Sequence, residues 1–386
     1  MNEASPRTTL IRAARAVDAR TQTEDAWVLI DGDTIREVGS GRDAPAAHAV
    51  VDLGDATLAP GFIDIHGHGG AKGAYDNGPV EIAAALAMHR RHGTTRAVLS
   101  LVANPMPFLA RSLDTVRELM SNDPLVLGVH LEGPFLSPHN HGAHQPHHLV
   151  DPSPKNVAAL LSRGRGVLTQ ITIAPELDGA LSAIHQIVDG GVVAAVGHTI
   201  ATQETTRAAF DAGATILTHA FNAMPGIHHR NPGPIGAAID DDRVTLELIL
   251  DGVHVAPIVA RTLMRAVPGR CALITDAMAA AGALDGAYRL GSLNVTVLGG
   301  IARVEGSDTI AGSTLTQDAA LRTAVEHVGL SLQDAVAALT ATPAAALGLD
   351  NRLGYLAPRF AADIVALGPD LSVSHVWAGG SRIAHA

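Results

Sequence analysis

The chain has 386 residues and a formal net charge of −11, from 27 Lys and Arg against 38 Asp and Glu. Hydrophobic residues make up 47% and charged residues 17%, which excludes intrinsic disorder and predicts a large buried core. An acidic chain without a basic run is a poor match for nucleic acid or an anionic membrane surface. At roughly 150 residues per domain, the length predicts two or three domains, or one large domain with an appendage. The single cysteine, Cys271, cannot form an internal disulfide. The start, Met-Asn-Glu-Ala-Ser-Pro-Arg, has an acid where a signal peptide has bases, and no apolar segment follows it. The longest stretches without Asp, Glu, Lys or Arg, residues 133–150 and 212–229, carry several histidines and do not read as membrane spans. The expected compartment is the cytoplasm.

The first sixty residues read as β. Trp27-Val-Leu-Ile, an Asp31-Gly32-Asp33 turn and Thr34-Ile-Arg-Glu-Val alternate apolar and polar residues around a hairpin signal. From Leu58, short apolar runs alternate with amphipathic stretches of roughly 10–15 residues. The runs lie at residues 58–65, 96–102, 125–131, 167–174, 192–197, 214–218, 244–250 and 271–275. Helical patterns intervene at residues 81–92, 108–120, 180–188, 203–212 and 258–267. Eight strands, each followed by a crossover, favour a (β/α)8 TIM barrel over an open doubly wound sheet. Residues 288–310 turn β-like again, and helical patterns follow at 316–328 and 332–347. The tail, with Ala362-Asp-Ile-Val-Ala-Leu and Val373-Ser-His-Val-Trp, returns to strand composition. The fold class is therefore α/β: a (β/α)8 TIM barrel, residues 58–354, inserted in a small β-sandwich domain formed by residues 1–57 and 355–386.

Histidine is over-represented, with 20 residues against six Phe, three Tyr and two Trp. Gly61-Phe-Ile-Asp-Ile-His66-Gly-His68 places two histidines two apart at the end of the first barrel strand. Residues i and i+2 of an extended segment point the same way, so both imidazoles can reach one point at the barrel mouth. That arrangement suits Zn²⁺ or another borderline divalent metal, although two loop histidines in a glycine-rich turn would look the same. The pattern recurs at later strand ends: Gly128-Val-His130-Leu-Glu132, Val196-Gly-His198, Leu217-Thr-His219 and Ile274-Thr-Asp276. One such residue is usually a strand-end cap, but five converging strand ends point to a metal site at the face where TIM barrels carry their chemistry. His130 alternates with Glu132 one layer deeper, and reads as a core histidine or a support for a ligand. The loop histidines His139, His141, His144, His147 and His148 are expected to be mostly solvated. The charges of Asp242-Arg-Val-Thr-Leu-Glu247 are expected to face water for the most part.

A metal-bound water is a nucleophile near neutral pH, and a neighbouring carboxylate can take its proton and return it to a leaving group. Asp276 suits that role. No Ser or Cys lies in a nucleophile-elbow context, and Cys271 falls at the start of its strand, away from the mouth. Gly69-Gly70-Ala-Lys72-Gly73 lacks the ending of a phosphate-binding loop.

These motifs, with His130-Leu-Glu-Gly-Pro-Phe, Gly142-Ala-His144, Thr218-His-Ala-Phe-Asn-Ala-Met224, Leu250-Asp-Gly-Val-His254, Thr275-Asp-Ala-Met278 and Thr309-Ile-Ala-Gly-Ser313, resemble the N-acetylglucosamine-6-phosphate deacetylase family of the amidohydrolase superfamily. The resemblance runs through essentially the whole barrel. It implies that Glu132, His198 and His219 are the principal metal ligands, with His66 and His68 matching the pair present in two-metal members. Neither Lys72 nor Lys155 ends a barrel strand, so Glu132 is the available bridge in place of a carboxylated lysine. It further implies Asp276 as catalytic acid and base, and His144 as a sugar contact that polarises the acetyl carbonyl. Ala143, His254 and the Ile310, Ala311 and Gly312 backbone match substrate contacts. Asn222 and Ala223 match the phosphate-binding turn, and Arg230 its cationic partner, contributed in the family by the neighbouring subunit of a homodimer.

The implied function is metal-dependent hydrolysis of N-acetyl-D-glucosamine 6-phosphate to D-glucosamine 6-phosphate and acetate, in amino-sugar catabolism and cell-wall recycling. The implied cofactor is one or two divalent ions per subunit, Zn²⁺ first, then Fe²⁺, Co²⁺ or Mn²⁺. The alternatives are deacetylation of the galactosamine epimer, a cyclic amidase, or a catalytically inactive barrel serving as an assembly subunit.

Overall fold

The structure is a computed structural model and describes residues 8–384. The chain divides into two compact units. One contains the residues up to Ile63, His89–Arg96 and those from Gln317 onward; the other contains Asp64–Met88 and Ala97–Thr316.

The first unit holds an eight-stranded sheet threaded by both chain ends. The strand Thr8–Val17 lies antiparallel to Gln22–Asp31, and on its other edge runs parallel to Ala49–Asp52 and Thr57–Pro60. The C-terminal strand Ile364–Leu367 adds antiparallel to Thr57–Pro60, and Val373–Ala378 adds to it in turn. The predicted hairpin is present, with Asp31 paired to Thr34 across Gly32 and Asp33. Successive residues of Ala26–Ile30 are all buried because both faces of the sheet are covered. Trp27 and Leu29 pack with Leu10 on one face, whereas Val28 and Ile30 join Ile11, Leu58 and Ile364 on the other. The small β-sandwich domain expected from the two chain ends is built on this sheet, with an apolar cluster on each face.

The second sheet is the barrel. Its eight strands, neighbours in chain order, are Phe62–Gly67, Thr94–Val102, Val126–Phe135, Leu168–Ile173, Val193–Val196, Ile216–Leu217, Thr245–Ile249 and Cys271–Ile274. From Thr94–Val102 onward, the ladders between neighbouring strands are parallel. The eighth strand meets the first just beyond the ladder: Asp276 N–H donates to His66 O at 2.8 Å, and His68 N–H to Ala277 O at 2.7 Å. One expectation changes. The apolar run at 58–65 is two strands, Thr57–Pro60 in the end sheet and Phe62–Gly67 in the barrel. An unbroken apolar run carries no mark of which sheet each half joins, because both halves are buried on both faces.

Helices Pro79–Arg91, Met106–Asn122, Ala180–Asp189, Gln203–Asp211 and Pro257–Ala266 coincide with the predicted amphipathic stretches to within a few residues. Ser153 and Thr202 cap the helices that follow them by accepting from the N–H groups of Asn156 and Thr205. After the eighth strand, Gly286–Leu290, Leu293–Leu298 and Ile301–Val304 form an antiparallel sheet, as the β-like excursion predicted. The predicted helix over 332–347 breaks at Thr340 into Leu332–Leu339 and Ala341–Ala346. No helix among the described residues is long and apolar enough to cross a membrane.

Cys271 opens the eighth strand and is buried. Burial pushes its thiol up to about 12, with Arg270 opposing. In the folded chain it stays a protonated thiol, so iodoacetamide at pH 8 should label Cys271 only after denaturation. The sign of the pH effect follows. The unfolded thiol ionises from about pH 9 and the folded one does not, so its contribution to stability is present below pH 9. That contribution is lost between pH 9 and about 12, at up to about 1.4 kcal/mol per pH unit. Chemical denaturation at stepped pH, against Cys271→Ala, measures it.

Candidate active site and metal centre

The site is organised around one carboxylate. Glu132, from the third barrel strand, is 3% exposed. Its Oε1 lies 3.0 Å from both His198 Nε2 and His219 Nε2, and 3.3 Å from His66 Nε2. Its Oε2 lies 3.1 Å from His68 Nε2 and 3.2 Å from His144 Nε2. Asp276 completes the arrangement, with Oδ1 3.3 Å from His68 Nε2 and 3.7 Å from His66 Nε2. All of these groups except the fully buried His66 line a cavity of about 470 Å³, together with Ala143, Asn222, Ala223, His254, Ile310 and Gly312.

The strand ends explain the convergence. His66 and His68 sit two apart on an extended segment and share a side. His198, His219 and Asp276 each lie one or two residues past a strand, and all three have positive φ, 47°, 27° and 48°. For non-glycine residues such conformations are costly and persist only when the surroundings enforce them. Here backbone bonds do so: Ser137 N–H donates to His198 O, and Ser313 N–H to Asp276 O. Gly197 lets His198 approach, since a Cβ there would fall 2.6 Å from Thr218 Cβ and 2.9 Å from Thr172 Cγ2.

Burial opposes charge throughout, yet the carboxylates prevail. Burial would lower His66 and His68, but Glu132 and Glu247 hold His66 well above its ordinary value, and Asp276 and Glu132 raise His68 to about 9. Burial likewise opposes the charge on Glu132 and Asp276, and the surrounding histidines keep both below the ordinary carboxylate range. Burial pushes His198 down to about 4, leaving a neutral ring whose Nδ1–H donates to Asn140 O at 3.0 Å. The cluster thus holds a negative field that attracts protons, and a cation competes for the same lone pairs.

The donor set fits a divalent metal. The ligand atoms of His66, His68 and Asp276 lie within 4.8 Å of one another, as do those of Glu132, His198 and His219. His198 Nε2 and His219 Nε2 point together at 3.0 Å, and the fully buried His66 Nε2 has no hydrogen-bond partner among the described residues. Nitrogen and carboxylate donors in such groups suit Zn²⁺ and its neighbours.

The amidohydrolase family pattern matches residues 57–383. The chain belongs to the amidohydrolase family. It is 38% identical to the N-acetylgalactosamine-6-phosphate deacetylase of Escherichia coli O157:H7, over 94% of this chain and 97% of that protein. It is 32% identical to the N-acetylglucosamine-6-phosphate deacetylase of Danio rerio, over 98% and 97%. A solved structure of a mutant Mycobacterium smegmatis N-acetyl-D-glucosamine-6-phosphate deacetylase, in complex with N-acetyl-D-glucosamine-6-phosphate, matches with a TM-score of 0.94 at 45% identity. That match covers 98% of this chain and 100% of the other.

The amidohydrolase barrel places the remaining predicted residues as follows. Ala143, His144, Asn222, Ala223, His254, Ile310 and Gly312 line the cavity. Ala311 is buried in an apolar cluster with Met278 and Val297, and its N–H donates to Ala302 O. Arg230 is exposed on a turn closed by His228 and Asn231, and is absent from the cavity lining. His130 is a core residue: Ser100 Oγ lies 2.9 Å from Nδ1 and Thr172 Oγ1 2.8 Å from Nε2. One expectation is corrected, and another meets a single exception. Of the five loop histidines, only His139 and His147 are exposed, while His139, His141 and His144 line the cavity, because the loop folds inward over the mouth. Asp242 and Arg243 do face water, but Glu247 is fully buried and 2.9 Å from His66 Nδ1. Asp64, bonded to Thr275 Oγ1 at 2.6 Å and pushed up to about 6 by burial, is a second carboxylate the sequence reading missed. Asp64 was visible only as a lone charge inside an apolar strand, and Glu247 only as the last charge of the Asp242–Glu247 run.

Proposed function

We propose that this amidohydrolase hydrolyses N-acetyl-D-glucosamine 6-phosphate to D-glucosamine 6-phosphate and acetate. The observation that carries the reading is the convergence of two potential ligand groups on Glu132 with Asp276 at the cavity wall. The substrate is supported by the 45% identical Mycobacterium smegmatis deacetylase and its bound sugar phosphate. The 38% identity to a galactosamine-type deacetylase makes the epimer a second reading.

Glu132, His198 and His219 would hold one ion, Zn²⁺ in our reading, and His66, His68 and Asp276 a second, with Glu132 between them. When bound, a divalent ion acidifies water and polarises an oxygen. The protein's part is proton handling and orientation. Asp276, ionised, takes the proton of the attacking water and returns it to the sugar nitrogen as the C–N bond breaks. His144 Nδ1 accepts the Ala103 N–H at 3.1 Å, so in the neutral ring the proton sits on Nε2, facing Glu132 and the cavity, as a donor for the acetyl oxygen. His254, which burial would lower, is raised by Asp251, 2.7 Å from its Nδ1. That shift favours the protonated imidazole, which lines the same cavity as Asn222 and Ala223 and suits a sugar phosphate. Arg230, exposed on its own subunit, would reach the site of a partner in a cytoplasmic homodimer and bind phosphate in bidentate fashion.

Acetate release from purified protein tests the reading. N-acetylglucosamine 6-phosphate should turn over, lose turnover after chelation, and regain it with Zn²⁺. Preference for the galactosamine epimer would select the second reading. No acetate from either epimer with metal-loaded enzyme would leave an inactive barrel.

A further inference from the structure

We propose that Glu247 is the positioning residue that makes the His66, His68 and Asp276 group a metal site, by holding His66 in the tautomer and orientation that binding requires. The proposal rests on reading both ligand groups as metal sites. Glu247 projects from the strand Thr245–Ile249 into the barrel and is fully buried. Its Oε2 lies 2.9 Å from His66 Nδ1 and accepts the His219 N–H at 3.3 Å. Its Oε1 accepts from Gln170 Nε2 at 2.9 Å. None of these partners is a lysine or arginine. A carboxylate in such a place is costly unless positive charge compensates it nearby.

Geometry decides what this carboxylate does. With Glu247 Oε2 2.9 Å away, His66 Nδ1 is the nitrogen engaged as a donor, and Nε2, directed at Glu132 and Asp276, is the one left to give its lone pair to a cation in place of a proton. The ring is also held edge-on by His130, with centroids 4.6 Å apart. His68 has no equivalent support: its Nδ1 lacks a hydrogen-bond partner among the described residues. Of the His66–His68 pair, therefore, only His66 has a carboxylate on its Nδ1, the nitrogen turned away from the ligand group. The longer bond to the His219 backbone links Glu247 to the other ligand group, but through the main chain and not through a coordinating atom.

The test is metal titration of the whole protein, following Co²⁺ uptake by calorimetry and visible absorption. In Glu247→Gln the second equivalent should bind 10–100-fold more weakly, the usual cost of removing such a support, with the first changed less than about threefold. Glu247→Asp keeps the charge but not the reach, and should fall between; it also serves if Glu247→Gln melts early. In the His66→Asn background, which keeps only the other equivalent, adding Glu247→Gln should change the affinity of that remaining equivalent less than about threefold, since the residue acts through the His66 ring. Unchanged binding of both equivalents, equal weakening of both, or a clear weakening of the remaining equivalent in the His66→Asn background would overturn the proposal. Wild-type protein that takes up only one equivalent would instead overturn the two-site reading beneath it.

Discussion

Asp276→Asn should retain its metal and much of its substrate affinity, and lose kcat by on the order of 10²–10⁴-fold. The amine is a poor leaving group until protonated, so some residue must carry a proton from water to nitrogen. Asp276 is held for this by its neighbours. Its N–H donates to His66 O, its carbonyl accepts from Ser313, and its φ of 48° turns the carboxylate toward His68 Nε2 at 3.3 Å. Although burial opposes it, the charges of His66 and His68 keep the carboxyl ionised, which is the form a base needs. An asparagine has nearly the same shape and an oxygen that can still coordinate, but it cannot take up a proton. Metal analysis beside steady-state kinetics separates the two roles. Loss of metal would make Asp276 chiefly a ligand. Retention of more than about a tenth of kcat would move the proton elsewhere, with His144 the next candidate.

Glu132→Gln should be more damaging to metal content than any single histidine change. Its two oxygens are shared among five imidazoles at 3.0–3.3 Å, and the two ligand groups meet at it. Glutamine removes the negative charge that draws a cation into a site 3% exposed, and points an amide N–H₂ at nitrogens that need an acceptor. Loaded with excess Zn²⁺ or Co²⁺, the variant should hold fewer than one equivalent. Activity should fall on the order of 10³-fold or more, because metal assistance supplies several kcal/mol of transition-state stabilisation. His66→Asn should by contrast lose one equivalent and keep the other. Two equivalents in Glu132→Gln, or unchanged stoichiometry in His66→Asn, would refute the shared-bridge arrangement. Similar melting temperatures in all three proteins would exclude general unfolding as the cause.

The ligands were legible before the structure because strand periodicity and strand ends are local properties. His66 and His68 share a side by alternation alone, and Glu132, His198, His219 and Asp276 each follow an apolar run. A barrel brings such positions to one face whatever lies between them. Glu247 was not legible. It looks like the last charge of Asp242-Arg-Val-Thr-Leu-Glu, and only strand register tells that it turns inward while Asp242 and Arg243 face water. His66 and Glu247 lie 181 residues apart, a pairing that no local pattern specifies.

The same division runs through the fold. Periodicity and turn residues determined that there would be a (β/α)8 barrel with a β domain from the chain ends, because these depend on neighbours a few residues away. Tertiary structure alone decided where the run at 58–65 splits between two sheets. It also decided which loop histidines fold in over the mouth and which buried carboxylates orient the ligands. Each of those outcomes depends on what packs against a residue from far along the chain, and a buried charge is tolerated only where that distant partner arrives.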